Sequence, residues 1–470
     1  MPRPKPRWRV LRDALPLSVL APLAIAALAL HPLNSPYRVM PLIPAEGGSQ
    51  SKLLPGSAAP APDLVLSSTS TPSPSATVTP FPWPTPTPTI PSYVPPVGIP
   101  VATAYPAPPS SRATTRHGLN DPPPAGYQVG AYYFSGWAHG QNDNLSPLLT
   151  ASPLRRYEPL IGWYDDSQHQ VDQSIDQAAN AGLTFFAFDW YDLARSPYAT
   201  DRRLNDGLRF YLTSPQRPRL KFCILFVDQA PFVPRARDWP GLVQKWLRYF
   251  KQPDYVRVGG KPLFIIFSPE NMRRIFGSSA NVHRALDYLR LQARRHGLPG
   301  ITVAVGATVA PNGNPWNYGR VAHEGYDVTT GYNYHHVGGE QPRVPIPYSR
   351  LVQDNEAMWE RVATHLPQPY IPVITLGWDQ RFSAREQRTA YVYTGRTPAA
   401  FTCYAAAARR WIDTHPRRTV RERIVLIYAW NEIGEGGALI PNRTDGYAYT
   451  NAVRRVFGAP GQQPGLKPCR

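Results

Sequence analysis

The chain has 470 residues, of which 42% are hydrophobic, so it is long enough for one large barrel or for two to three average domains. Its formal net charge of +18 raises the question of nucleic-acid binding. The arginines are scattered and no basic-aromatic nucleic-acid motif is present, so we expect no nucleic-acid partner. A solvated basic surface, or attraction to an anionic cell envelope, accounts for the charge.

Residues 1–35 are predicted to form a signal peptide or a signal-anchor helix. Five basic residues within residues 1–12 precede the uncharged stretch from Ala14 to Leu30. A basic segment before an apolar one is typical of an export signal, and this stretch also reaches the lower limit for a membrane-spanning helix. We favour an uncleaved anchor with the rest of the chain outside the cell. Cleavage after Ala26 or Ala29 is the alternative.

Residues 36–125 are predicted to be a disordered linker rich in Pro, Ser and Thr. The chain has 56 prolines, and they are concentrated in this part. Alternate prolines, as in residues 81–88, remove hydrogen-bond donors and fix φ, which prevents helix and sheet. Such a segment behaves as an extended spacer. We therefore interpret it as a stalk, and a proline-rich docking ligand is the alternative.

Residues 126–460 have the composition of a folded domain, and residues 461–470 are expected to be a C-terminal tail. Eight short apolar runs are predicted strands: Gln128–Phe134, Thr184–Trp190, Lys221–Val227, Pro262–Phe267, Ile301–Ala307, Val328–Tyr334, Ile371–Leu376 and Arg423–Ala429. Helical patterns lie between them, at Asp165–Ala181, Leu242–Phe250, Val282–His296, Glu356–His365 and Pro398–His415. Apolar strands that alternate with helices predict a parallel sheet covered on both faces. Eight such units in about 330 residues favour an α/β fold of the (β/α)8 TIM-barrel type over an open sheet.

Aromatic, amide or acidic side chains follow most of these strands. Because a (β/α)8 barrel builds its site at the carboxyl ends of the strands, we predict that these side chains bind a sugar. Aromatic faces stack on sugar rings, and carboxylates and amides bond hydroxyls; packing of the barrel top is the alternative. The predicted substrate-binding residues are Tyr132, Tyr133, Trp137, Asp189, Trp190, Tyr191, Asp228, Tyr332, Tyr334, His335, Trp378, Asp379, Trp430 and Asn431.

Two glutamates, Glu432 and Glu435, follow the last predicted strand. Glycoside cleavage needs one protonated carboxyl to assist the leaving oxygen and one ionised carboxylate. Two neighbouring acids repel, which raises the pKa of one of them. A loop containing Gly434 and Gly436 lets the pair converge to roughly 5–6 Å, the range of retaining enzymes. We therefore predict that both glutamates are catalytic.

No metal or other cofactor is expected. The adjacent His335 and His336 are predicted to lie on a strand, where neighbouring side chains point to opposite faces. The three cysteines lack metal-ligand spacing. Cys223 lies in an apolar run and is predicted to be a buried free thiol. Cys403 and Cys469 are candidates for a disulfide outside the cell, a pairing that the sequence leaves open.

The segment Trp430-Asn431-Glu432-Ile433-Gly434-Glu435-Gly436 resembles the W-N-E-x-x-E-G segment of glycoside hydrolase family 99 and of the family-99-like, WbsX-type domains. Supporting similarities lie in Gly130-Ala131-Tyr132-Tyr133, in residues 181–191 and in Gly260-Lys261-Pro262-Leu263. The resemblance covers about 127–458. It implies a (β/α)8 barrel with retaining, metal-independent endo-α-mannosidase or mannanase chemistry.

The resemblance also implies a role for each glutamate. Glu432 acts as the base on the sugar 2-hydroxyl, which attacks the anomeric carbon to give an anhydro-sugar intermediate. Glu435 is the acid/base that assists departure and then activates water. Ile433 and Gly434 stand where family 99 enzymes carry a Trp-His pair, which brings this chain nearer to the family-99-like group.

We therefore predict an exported, monomeric glycoside hydrolase that cleaves an extracellular or envelope polysaccharide. It is expected to be tethered at the cell surface, or secreted if the N-terminal segment is cleaved. Two alternatives remain: a carbohydrate-binding barrel without turnover, and a glycosyltransferase-like protein of surface-polysaccharide assembly. A pure binder has no need of paired acids, and a nucleotide-sugar transferase usually carries a Gly-rich phosphate loop or a D-x-D motif.

Overall fold

The computed structural model of the protein describes residues 126–137, 157–164, 167–195, 202–307, 318–335, 345–379 and 392–458. The predicted anchor, the linker and the C-terminal tail lie outside these ranges, as does His336. Within them, no helix is long and apolar enough to cross a membrane.

Eight parallel strands form the centre of the domain. They are β1 Gln128–Tyr133, β2 Phe185–Trp190, β3 Lys221–Phe226, β4 Lys261–Ile266, β5 Thr302–Gly306, β6 Val328–Thr330, β7 Val373–Thr375 and β8 Ile424–Tyr428. Hydrogen-bonded neighbours run in the order β6, β5, β4, β3, β2, β1, β8, β7. Except for β6 and β7, which lie at the two ends of this order, strands adjacent in sequence are therefore adjacent in the sheet, and β1 lies beside β8.

The two ends of this sheet meet just before β7. Thr329 of β6 forms a parallel bridge with Tyr370. Its backbone N–H donates to Pro369 O at 2.9 Å, and its carbonyl accepts from Ile371 N at 2.9 Å. This contact completes the ring of strands, so the predicted (β/α)8 barrel is confirmed.

Helices surround the strands. They are α1 Gln168–Asn180, α2 Asp206–Thr213, α3 Trp239–Phe250, α4 Pro269–Phe276, α5 Ser279–Arg295, α6 Tyr318–Val321, α7 Tyr348–His365, α8 Pro398–Thr414 and α9 Ala448–Phe457. Four of the predicted helices lie within three residues of these bounds, and α7 begins eight residues before the predicted Glu356. Helices α2, α4, α6 and α9 were not predicted.

Side-chain caps fix where several of the helices begin. Ser268 Oγ accepts from Asn271 N, and Pro269 stands at the first position of α4. Ser167, Ser278 and Thr397 cap α1, α5 and α8 in the same way. Such caps satisfy backbone donors that lack a partner within the helix, and proline at the first position loses no hydrogen bond.

The strands are apolar because both of their faces are covered. Every residue of β2 and of β8 is buried. Alternate side chains point into the barrel and towards the helices: Trp190 packs against Trp246 of α3, with ring centroids 5.5 Å apart, whereas Asp189 lines a pocket. Cys223 of β3 is a buried free thiol, as predicted. Cys403 is disulfide-bonded, and its predicted partner Cys469 lies outside the described ranges.

Candidate active site

A pocket lies at the carboxyl ends of the strands. Its wall combines three carboxyl side chains with two tyrosines and four apolar residues: Asp189, Glu432, Glu435, Tyr191, Tyr332, Phe134, Leu225, Val227 and Phe267. These residues lie on or just after β1, β2, β3, β4, β6 and β8. Six strands therefore converge on one acidic pocket with largely apolar walls.

The loop after β8 brings both glutamates to this pocket. Ile433–Glu435 forms a single 3-10 turn, and Gly436 ends it with φ of 68°, a conformation that favours glycine. The turn is held from outside, because Asp379 N donates to the Glu435 carbonyl at 2.8 Å and Arg396 Nη1 donates to the Gly436 carbonyl at 3.0 Å. Glu432 and Glu435 are 3% and 9% exposed.

A single tyrosine hydroxyl connects two of the three acids. The Tyr332 Oη lies 2.7 Å from Glu432 Oε1 and 2.8 Å from Asp189 Oδ2. A phenol carries one proton and donates one ordinary hydrogen bond. Both contacts are satisfied when one carboxyl is protonated and donates to the phenol oxygen while the phenol donates to the other. We call these three groups the Asp189–Tyr332–Glu432 array.

The effect of burial on the pKa of each carboxyl supports the protonation of one of the two. Burial raises the pKa of Asp189 well above its usual range, and the negative charge of Glu432 raises it further. Burial also raises the pKa of Glu432 to about 7, against the lowering effect of the bond from Tyr332. In the order that fits both pKa shifts, protonated Asp189 donates to Tyr332, and Tyr332 donates to ionised Glu432.

The second carboxyl oxygen of Asp189 does not take part in the bond to Tyr332. This oxygen, Oδ1, is buried and has no hydrogen-bond partner among the described residues. A buried acceptor without a partner costs free energy. Because Asp189 lines the pocket, a hydroxyl of a bound molecule would relieve that cost.

Glu435 has a tyrosine of its own. Its Oε2 accepts from the Tyr428 hydroxyl, and the Tyr428 and Tyr332 rings meet edge to face with centroids 5.0 Å apart. Gly437 makes room for this arrangement, since a Cβ there would lie 2.5 Å from Tyr428 Cε1. Each glutamate is therefore bonded to a different phenol, and the two phenols pack together.

The structure brings five of the predicted site residues to the pocket: Glu432, Glu435, Asp189, Tyr191 and Tyr332. The predicted sixth strand ends early, at Thr330, so Tyr332 lies on the following loop. Tyr191 is buried and packs edge to face on Phe232, with centroids 4.7 Å apart.

The other predicted aromatic residues do not line the pocket, because each is buried against neighbouring protein groups. Trp430 packs on Phe186 and donates to Tyr164 Oη at 3.2 Å. Trp378 stacks on His335 with centroids 3.6 Å apart. The same holds for residues that contact barrel strands or helices: Tyr132, Tyr133, Trp137, Trp190 and Tyr334. Packing accounts for these side chains where sugar contact was predicted.

The remaining polar residues of the prediction have positioning roles. Asn431 Oδ1 accepts from Phe134 N at 2.9 Å, and its Nδ2 donates to Phe134 O at 2.8 Å, which joins β8 to β1 beside the pocket. Asp228 is fully buried and accepts from Ser268 N at 2.9 Å, and burial raises its pKa well above the usual range. Asp379 supports Glu435 through its backbone N–H, as described above.

Sequence reasoning missed the apolar walls, Phe134, Leu225, Val227 and Phe267, and it missed Tyr428 and Arg396 as supports of Glu435. The sequence around β3 did indicate two of these wall residues. Leu225 and Val227 are two residues apart, so they share one face of a strand. Nothing in the sequence marks Arg396. Within the described ranges, no group of three or more His, Cys, Asp or Glu side chains is placed to hold a metal ion.

This fold and this pocket define a (β/α)8 barrel with an acidic pocket at the carboxyl ends of its strands. Residues 228–453 match the family model described as "Glycosyltransferase WbsX". This part of the chain is therefore similar to the WbsX-type domains, in agreement with the resemblance of the Glu432–Glu435 segment.

A curated protein is similar to about half of this chain. "Uncharacterized protein WxcX" of Xanthomonas campestris pv. campestris is 25% identical over 249 residues, which cover 50% of this chain and 32% of that protein. The match thus spans about a third of the curated relative.

Two solved structures are similar at low identity. A "Glycoside hydrolase-like protein" has a TM-score of 0.49 and 16% identity over 74% of this chain and 97% of its own. The GH99 endo-alpha-mannosidase from Bacteroides thetaiotaomicron has a TM-score of 0.47 and 13% identity over 69% of this chain and 95% of its own. At these values the similarity says nothing about the substrate of this chain.

Proposed function

We propose that the protein is a glycoside hydrolase that cleaves an oligosaccharide or polysaccharide with Glu432 and Glu435. The observation that carries the proposal is the pairing of each glutamate with its own phenol in one pocket, Tyr332 with Glu432 and Tyr428 with Glu435. A binding protein needs hydroxyl partners, but it needs no carboxyl whose pKa is raised to about 7. A base of this pKa is half ionised near neutral pH, where general base catalysis is effective.

In the first proposed step, Glu432 removes the proton from the hydroxyl beside the anomeric carbon of a mannose-like unit. The freed oxygen bonds to that carbon, the bond to the leaving oxygen breaks, and Glu435 gives that oxygen its proton. Tyr332 holds the Glu432 carboxylate in place during the transfer. The apolar walls keep water from the reacting groups and strengthen the electrostatic interactions between them.

In the second proposed step, Glu435 takes a proton from water, and the water oxygen bonds to the anomeric carbon. The bond to the neighbouring oxygen breaks, and Glu432 returns the proton to it. The configuration at the anomeric carbon is retained, because each step inverts it once. Protonated Asp189 keeps the phenol of Tyr332 directed at Glu432, and Asp189 Oδ1 accepts from a second sugar hydroxyl.

We place the enzyme outside the cytoplasm, on an extracellular or envelope polysaccharide. The basic and apolar segments before residue 31 support export, and the disulfide at Cys403 supports an oxidising compartment. The stalk then holds a single barrel at the cell surface, or the protein is secreted if the first segment is cleaved.

A second candidate function is glycosyl transfer, which the name of the matching family favours. The same pair of glutamates would serve it if a sugar hydroxyl replaced water in the second step. Transfer and hydrolysis are distinguished by their products, because transfer lengthens an acceptor and hydrolysis creates a new reducing end.

The test is a panel of purified polysaccharides incubated with the full chain, with reducing ends and product lengths measured. The wild type is compared with Glu432→Gln, Glu435→Gln and the control Glu360→Gln, whose carboxyl is 55% exposed on α7. We expect new reducing ends from the wild type and the control only. Binding without cleavage across the panel, or equal activity of all four proteins, would contradict the proposal.

A further inference from the structure

The amino end of the barrel, opposite the pocket, carries seven exposed positive side chains, which we call the basic face. They are Lys221, Lys251, Lys261, Arg294, Arg295, Arg417 and Arg418. Lys221 and Lys261 begin β3 and β4, and the others lie at or just after helix ends or in the turn that leads to β8. Because all strands of the barrel are parallel, their first residues share one end of it.

Contacts between separate segments join parts of the basic face. The turn before β4 meets the turn before β8, where Gly259 N donates to Glu422 Oε1 at 2.7 Å. Lys261 adjoins Arg294, because a Cβ on Gly300 would lie 3.7 Å from Lys261 Cδ and 4.0 Å from Arg294 Nη1. The positive charges are therefore gathered on one surface.

The acids nearby do not neutralise these charges. Asp254 is paired with Arg217 at 2.5 Å, and Asp176 and Asp413 are paired with Arg219 and Arg423. Glu422, which accepts from Gly259 N, adds one negative charge against the seven positive ones.

No residue of the basic face forms an ion pair with an acid inside the described ranges. Cations at a helix C-terminus offset the helix dipole, which accounts for Arg294 and Arg295 on α5. It does not account for Lys221, Lys261, Arg417 and Arg418, which stand at strand starts or in a turn.

The chain also enters the barrel at this end. β1 begins at Gln128, and the preceding Tyr127 lies under the Arg423 guanidinium, 4.0 Å from the ring centroid. Residues 31–125 therefore join the domain at the basic face. Any membrane that holds residues 14–30 is connected to the barrel through this side.

We propose that the basic face docks on the anionic headgroups of the membrane in which residues 14–30 are anchored. The pocket then points away from the lipid, towards polymer outside. A tether of this length keeps the face at a high local concentration near the surface, so a weak contact that is effective within about 10 Å is sufficient. The inference rests on the predicted anchor and is independent of catalysis.

The test measures lysine accessibility in the full chain on vesicles. The protein is reconstituted in phosphatidylcholine vesicles with and without about 30% phosphatidylglycerol and labelled with an amine-reactive reagent that does not cross membranes. Lys245 is the internal reference, because it lies on α3, is 45% exposed and pairs with Asp192. We expect labelling of Lys221, Lys251 and Lys261, relative to Lys245, to fall about threefold or more on anionic vesicles. It should recover in about 1 M salt, where the screening length is short.

A pair of charge-reversal substitutions distinguishes the effect of the basic face from the effect of the protein's net charge. Lys221→Glu with Lys261→Glu should abolish the protection of Lys251. The control, Arg274→Glu with Arg284→Glu, makes the same charge change at exposed positions on α4 and α5 and should preserve it.

Equal labelling on both vesicle types, or protection that survives the reversal of Lys221 and Lys261, would overturn the proposal. Protection by a soluble anionic polysaccharide but not by anionic vesicles would also contradict a lipid partner.

Discussion

The hydroxyl of Tyr332 lies 2.7 Å from Oε1 of Glu432, although the two residues are 100 positions apart in the chain. The loop after β6 supplies the phenol and the loop after β8 supplies the carboxylate. The same hydroxyl also contacts Asp189. The protonation states of Asp189, Tyr332 and Glu432 therefore depend on one another. The proposed chemistry depends on these protonation states, because Glu432 must be ionised to act as a base.

Replacement of Tyr332 by Phe should weaken Glu432 as a base. The bond from Tyr332 lowers the Glu432 pKa against the effect of burial, so its loss raises that pKa. A hydrogen bond to a charged group is worth about 1.5–3 kcal/mol, so we expect kcat/KM to fall about 10- to 100-fold. The acidic limb of the pH profile should move to higher pH. Tyr447→Phe, at a position that is 50% exposed, is the control. An unmoved acidic limb in the Tyr332 variant would argue against the array.

Asp189→Asn tests which carboxyl holds the proton. An asparagine amide resembles a protonated carboxyl and still donates to Tyr332, so activity should stay within about tenfold of the wild type. Asp189→Ala removes the donor and should lose about 100-fold or more, since Tyr332 is then free to turn away from Glu432. The measurement is kcat/KM for both variants near neutral pH. Equal large losses in both variants would mean that an ionised Asp189 is required.

Glu432→Gln should change how stability depends on pH. Burial raises the folded-state pKa of Glu432 to about 7, so the folded protein holds a proton that the unfolded chain releases near 4.5. The stability from this neutral carboxyl is fully present below the unfolded pKa and is lost as pH rises through about 7. Glutamine avoids the loss, so its advantage in free energy of unfolding should grow by up to about 3 kcal/mol between pH 5 and 8.

The check is urea unfolding of the wild type, Glu432→Gln and the exposed control Glu360→Gln at both pH values. The control should track the wild type. A constant difference between the wild type and Glu432→Gln across this range would be inconsistent with a raised pKa.

Gly437→Ala should disturb the Tyr428–Glu435 bond. The new Cβ would lie 2.5 Å from Tyr428 Cε1 and 3.3 Å from the Gly377 carbonyl oxygen. Overpacking of this kind costs about 1–3 kcal/mol, and displacement of Tyr428 should lower activity at the same time. The control is Gly241→Ala in α3, where nothing lies within 4 Å of the added Cβ. There, alanine should stabilise the helix by about 0.5–1 kcal/mol. Wild-type activity and melting temperature for Gly437→Ala would refute this steric account.

Much of the barrel could be predicted because its strands are near-continuous apolar runs. β2 and β8 are buried along their whole length, so their sequences carry an unambiguous signal. Helix α4 was missed although Ser268-Pro269, directly after the predicted strand Pro262–Phe267, is a typical helix start.

The candidate site was harder to predict residue by residue. The predicted apolar strands located Glu432, Glu435 and Asp189 at their carboxyl ends. The same pattern does not tell which aromatic side chains face into the barrel. Asp189 and Trp190 are neighbours on β2 and must point to opposite sides; only the packing of α3 shows that Trp190 faces outward. The bond between Tyr332 and Glu432 depends on two loops whose paths no local pattern specifies.

The different roles of Glu432 and Glu435 are tested most directly with two substrates of the same sugar. One is the natural polymer, and the other is an aryl glycoside whose leaving group departs without a proton. Glu435→Gln should lose about 100-fold or more on the polymer yet release the first equivalent of the aryl group at nearly the wild-type rate. Glu432→Gln should be impaired on both substrates. If Glu435→Gln is as impaired on the aryl glycoside as on the polymer, or if it hydrolyses the polymer normally, Glu435 is not the acid.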